Sequence, residues 1–214
     1  MSTATHTQGS MALLFSTADH LALSRILQWQ ASARGLDFKW HDSNSSDPEA
    51  ILASLRKQGR HASLVIFGGG GWQAGSALHT PASAWQQAWE SQCLSGARVG
   101  QAAIRHMLPR QQGTLIYLGH EGGHTDSQAV RRTPAASFSA SHAAASAGLR
   151  SLAQSMARAF GPQRVHVAHV ILGGTAPFDD ARALDTANTC WSLHAQNPSA
   201  WTHELDLRPS PKHD

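Results

Sequence analysis

GTLIYLG, at Gly113–Gly119, and SHAAASAGLRSLAQSMARAFGPQRVHVAHVILGG, at Ser141–Gly174, decide the fold. Leu149, Leu152, Ala153, Met156, Ala157 and Phe160 recur at helical period, which predicts an amphipathic helix over Leu149–Phe160. Gly161-Pro162 ends it, because proline cannot continue a helix and glycine tolerates the left-handed exit. The flanking runs Thr114–Leu118 and Val165–Leu172 are short and predominantly apolar, the pattern of parallel strands buried on both faces. Strand, helix and strand in this order form a βαβ unit with a right-handed crossover.

Working outward, Ala12–Phe15 reads as a further buried strand and Leu21–Ala33 as the helix after it. Leu36–Trp40 is predicted as a strand, Glu49–Gln58 as a helix behind the cap Ser46-Asp47-Pro48, and Ser63–Phe67 as a strand. A long helical region spans Ala82–Met107, a last helix Asp179–His194, and a terminal strand lies within Trp201–Leu207. A chain of 214 residues with 41% apolar content suits one domain with a sizeable core. The net charge of +3 is spread without a Lys/Arg stripe, which argues against a nucleic-acid partner. No apolar run reaches membrane-spanning length, so no membrane partner is expected. Cys93 and Cys190 make no disulfide framework, which points to the cytoplasm.

Three passages, Leu108–Ile116, the helix text Leu149–Arg158 and GPQRVHVAHVILGG, resemble the back half of a short-chain dehydrogenase/reductase. The tail SAWTHELDLRP, Ser199–Pro209, resembles the ending of an atypical branch of that superfamily. The resemblance implies an α/β fold: a doubly wound, Rossmann-like parallel sheet of about six strands over residues 12–209, with helices on both faces. Residues 1–11 are expected to be a disordered N-terminal segment and 210–214 a tail. The superfamily places helix, strand and helix where only Glu49–Gln58 fits here, so the strand order should be 2-1-3-4-5-6. The resemblance also implies association through Ala82–Met107 and Leu149–Phe160, with copies of itself or with a relative.

On the chemistry the sequence departs from the pattern. The cofactor turn TGxxxGxG falls on Phe15–Ala22, where its glycines become Ser16, His20 and Ala22, with Leu21 between the last two. Added bulk there opposes the close backbone approach that a pyrophosphate requires. Gly68, Gly69 and Gly70 stand where the superfamily has Asn-Asn-Ala-Gly. Asp42 sits where related folds hold ribose hydroxyls, and also reads as a simple loop aspartate. Of the catalytic set, the tyrosine position falls on His142, the lysine on Ser146, the serine on His120 and the asparagine on Cys93. Ser127, Ser137 or Ser139 could approach the serine position if the long loop shifts the alignment, but the chain's one tyrosine is Tyr117, in a strand. HEGGH at His120–His124 matches a zinc-peptidase pattern, yet two central glycines oppose the helix it needs, and no metal is expected.

No residue is therefore assigned a catalytic role. The sequence reads as a reductase-fold protein without its chemistry or cofactor, a structural or regulatory partner of an active relative. The alternatives are a divergent NAD(P)-dependent oxidoreductase using His142, and a small-ligand binder using the vestigial cleft.

Overall fold

The computed structural model describes residues 9–70, 74–120, 139–173 and 179–208. Its strands are β1 (Ser10–Ser16), β2 (Asp37–Asp42), β3 (His61–Gly68), β4 (Thr114–His120), β5 (His166–Leu172) and β6 (Glu204–Asp206). They form one sheet in the order β2-β1-β3-β4-β5-β6, every pairing parallel. This is the order expected from the single-helix gap after Trp40. β1 is flanked on both sides, with Leu14 in register with Trp40 on β2 and with Ile66 on β3.

Alternation along the strands sends side chains to two cores. Met11, Leu13, Phe15, Val65, Phe67, Leu115, Tyr117 and Val167 face one side. There they meet α2 (Pro48–Lys57), α4 (Ser95–Met107) and α5 (Ala140–Phe160) through Leu52, Val99, Ala103, Leu149 and Met156. Leu14, Leu64, Ile66, Ile116, Leu118 and Val170 face the other side, under α1 (Leu21–Ala33) and α6 (Asp180–His194). Because both faces are covered, the central strands carry apolar residues toward both sides. Pro48 opens α2 at a position where its missing N–H is no loss, and the Asp47 carboxylate accepts from the Glu49 and Ala50 amides.

Several element bounds differ from the sequence reading. β1 begins at Ser10 and buries Met11 fully, so the segment expected to be disordered to residue 11 gives up its last residues to the sheet. β2 runs over Asp37–Asp42 rather than Leu36–Trp40. α5 begins at Ala140, not Leu149: Ala143–Ala147 carry no apolar stripe, but Ser139 caps the helix by accepting from the His142 amide and the alanines propagate it. The region Ala82–Met107 comprises α3 (Ala82–Trp89), a π-helical turn over Glu90–Leu94, and α4.

Candidate functional site

In open parallel sheets ligands settle beyond the carboxyl ends of the strands. Here those ends deliver Ser16-Thr17 from β1, Gly68–Gly70 from β3 and His120 from β4. The π-helical turn adds Gln92 and Cys93, and the first turns of α5 add His142 and Ser146. His120 and His142, two of the four positions aligned with the superfamily's catalytic residues, meet in the crevice beyond these strand ends, and Cys93 packs beside them against α5 at Gly148. A π-turn is a rare device that re-aims side chains along a helix, and it sits at functional positions in many folds.

A row of imidazoles occupies the crevice. The His20 and His120 ring centroids lie 6.3 Å apart, and those of His120 and His142 lie 6.1 Å apart. Burial is the main cause that lowers the pKa of each to about 4; for His120 the neighbouring His20 and Arg182 add to it, and for His142 the neighbouring His120. All three rings are therefore neutral at physiological pH. Gln92 Nε2 lies 2.6 Å from His142 Nε2, so the amide donates, the ring accepts, and the ring proton resides on Nδ1.

The glycines beside this row are covered by the chain's own side chains. A Cβ at Gly68 would stand 3.2 Å from His20 Cε1, and one at Gly69 would stand 2.5 Å from Gln92 Oε1. At Gly70 it would collide with the Thr17 hydroxyl. His20, Gln92 and Thr17 therefore hold the space that these glycines leave open. Ser16 is fully buried, receiving the Trp40 indole N–H at 3.0 Å and donating to the Thr17 carbonyl at 3.2 Å. Asp42 accepts from the Asn44 amide at 3.0 Å and the Ser45 hydroxyl at 3.2 Å, the work of a turn aspartate. Leu21 is half-exposed at the start of α1. Ser16 and Asp42 are thus bonded to neighbouring residues of the chain, and His20, Gln92 and Thr17 fill the space beside glycines whose open backbone a pyrophosphate would approach.

The acid–base positions are equally altered. Ser146 is buried with its hydroxyl unpartnered, so no cation stands where the lysine belongs. Burial pushes the Cys93 thiol up, and the thiol packs against the α5 backbone at Gly148, where a Cβ would stand 3.1 Å from Sγ. Tyr117 lies in the core under α4, its hydroxyl donating to the Gly96 carbonyl at 3.2 Å, away from the crevice. Ser139 serves as the α5 cap, while Ser127 and Ser137 lie outside the described residues. So does the remainder of HEGGH after His120, which ends β4. Among the described residues no group of three His, Cys, Asp or Glu is placed to hold a metal ion, and no helix is long and apolar enough to cross a membrane.

Sequence reasoning missed Gln92 and Arg182. Gln92 precedes the aligned position Cys93 and was overlooked because alignment points only at the latter. Arg182, on α6, donates to the Gly173 carbonyl and faces His120 across a distance in sequence that no motif spans.

No protein-family model matches the chain, and no curated protein matches it. Solved structures match over nearly the whole length. A short-chain dehydrogenase from Rhodopseudomonas palustris is 24% identical, with a TM-score of 0.74, over 95% of this chain and 100% of that one. A metagenomic short-chain oxidoreductase in complex with NADP is 17% identical, with a TM-score of 0.71, over 94% and 98%. Acetoin dehydrogenase from Enterobacter cloacae is 15% identical, with a TM-score of 0.70, over 92% and 94%. The chain has the short-chain dehydrogenase/reductase fold.

Proposed function

We propose that this protein uses the short-chain dehydrogenase/reductase fold without its redox chemistry, as a structural or regulatory subunit in a homo-oligomer or beside an active relative. The observation that carries this reading is the row His20–His120–His142, neutral and packed beside Gln92 and Thr17 against the glycines at the strand ends. Reduction of a carbonyl needs a proton donor beside the substrate oxygen and a cation that tunes it. His142 has one ring nitrogen accepting from Gln92, and Ser146 brings no charge. No cofactor is expected. Buried free Cys93 and Cys190 suit the reducing cytoplasm.

The second reading, a divergent NAD(P)-dependent oxidoreductase, draws on the NADP held by one structural neighbour and on the Nδ1 proton that His142 retains. Calorimetric titration with NADH and NADPH separates the two. We expect no saturable heat up to about 1 mM, the weak limit of specific binding. Micromolar binding, together with nicotinamide oxidation that His142→Phe abolishes, would overturn the first reading in favour of the second. A small-ligand binder in the crevice would need His20 and Gln92 to swing out, and would show saturable binding of a non-nucleotide ligand that His20→Trp blocks.

A further inference from the structure

At the opposite rim of the sheet, three helix-to-strand connections converge: α4 to β4, α5 to β5 and α6 to β6. Between them lies a cleft of about 540 Å³. Arg110 and Gln112 line it from the first connection, Arg164 from the second, and His194, Gln196 and Trp201 from the third. The lining contains no carboxylate. Elsewhere near this rim Arg56 and Arg105 pair with Glu49, and Arg60 pairs with Asp37. Among the described residues Arg110 and Arg164 have no such partner. Two uncompensated cations thus face one concave space.

The walls are built to stay in place. His166 and Trp201 stack with ring centroids 4.8 Å apart and planes within 2°. His166 Nε2 lies 2.9 Å from the Thr202 carbonyl, and the Gln196 side chain accepts from the Thr202 amide at 2.7 Å. His194 Nδ1 lies 2.9 Å from the Thr114 hydroxyl, which orients its ring at the cleft wall. Gln111 and Arg164 adopt left-handed backbone, with φ of 50° and 64°. Glycine adopts that conformation without cost, yet both positions carry long polar side chains that line the cleft.

We propose that this cleft binds a small organic phosphate, gripped by Arg110 and Arg164, with Gln112 and His194 as further polar partners and Trp201 as an aromatic wall. Guanidinium forks match phosphate oxygens in pairs, and two forks mounted on separate loops suit a dianion better than a single carboxylate. The volume falls in the range of small-molecule sites and exceeds a bare phosphate, which leaves room for the organic part. A simpler account places the arginines there only to offset the carbonyl ends of α4 and α5. That account gives no reason for a walled cleft between them, and it predicts no ligand.

The test is calorimetric titration of the full chain with glycerol phosphate, inorganic pyrophosphate and citrate, at about 0.15 M salt so that loose charge attraction is screened. We expect saturable binding of glycerol phosphate, weakened roughly 100-fold in Arg110→Gln/Arg164→Gln and unchanged in Arg98→Gln, a remote exposed arginine. Circular dichroism shows whether the double variant is folded; if it is not, each single substitution should weaken binding roughly 10-fold. Absence of saturable binding, equal binding of citrate, or binding that survives in folded arginine variants would overturn the proposal. The cleft and the histidine crevice lie at opposite rims, so either proposal can fail without the other.

Discussion

At the scale of single residues, positions without side chains decide what this fold can hold. Gly100 on α4 faces the Tyr117 hydroxyl so closely that a Cβ would overlap it, with Met156 Sδ only 2.9 Å away. Gly100→Ala gains about 1 kcal/mol of helix propensity but forces an overpacked core, which costs roughly 1–3 kcal/mol. It should lower stability to urea, and adding Tyr117→Phe should restore most of the loss, because the hydroxyl is the nearest atom struck. If the double variant is no more stable than the single, the clash lies with Met156 instead. Gly68–Gly70 follow the same logic with a functional outcome. Removing a side chain there normally admits a ligand, whereas here His20, Gln92 and Thr17 enter the space.

At the scale of elements, β6 shows how little strand is needed when side chains pin it. Its three residues are tied to α5 by Arg150, whose Nε and Nη2 donate to both oxygens of Glu204 at 2.6 and 2.8 Å. The Glu204 hydrogen bond, followed by its charge, raises the Arg150 pKa. The pair is about one-third exposed, so Glu204→Gln should cost only about 1 kcal/mol. Hydrogen exchange should show the β6 amides losing protection before those of β4; unchanged β6 protection would mean that the ladder with β5 holds it alone. The strand order was legible in the sequence because each central strand is a predominantly apolar run, and the gap after Trp40 admits only one helix. The π-turn at Glu90–Leu94 was not legible, because one extra residue in a helical turn hardly disturbs an apolar stripe. Nor was the His20–Gly68 contact, which depends on a short 3-10 turn over Ala18–His20 and on neighbouring strands rather than on local spacing. Resemblance pointed to His120 and His142, but their packing in one row with His20 required coordinates.

For the whole molecule, buried histidines set the response to acid. His20, His61 and His142 are almost fully buried, and each has its pKa lowered to about 4, with burial the largest cause. In the unfolded chain they titrate near 6.5, so between pH 6.5 and 4 the unfolded state binds more protons and stability rises with pH. Each group removes up to about 1.4 kcal/mol per pH unit as pH falls through that window, and three together about 4 kcal/mol per pH unit. A domain of ordinary stability, about 5–15 kcal/mol, should therefore unfold between about pH 5 and pH 4. Far-UV circular dichroism against pH would show it, with His142→Gln moving the midpoint down; a flat signal to pH 3.5 would mean the rings are solvated. The proposed assembly makes a separate demand on the outer surface. Ala144, Ala147, Ser151 and Ser155 form an exposed stripe of small residues on α5, at helical spacing. Trp89 and Leu94, on the neighbouring α3 and π-turn, are 43% and 40% exposed. Small residues let a second helix approach closely while the large ones supply apolar area, and a stable pair needs about 800 Å² from each partner. Leu149, Ala153 and Met156 point to the core, so a charge on the stripe tests association without touching the fold. Sedimentation velocity at micromolar concentration should show a dimer or larger species, and Ser151→Glu should yield monomers with unchanged circular dichroism. A native protein that sediments as a monomer would defeat self-association and leave the mixed assembly, which co-purification from the native host would then have to reveal.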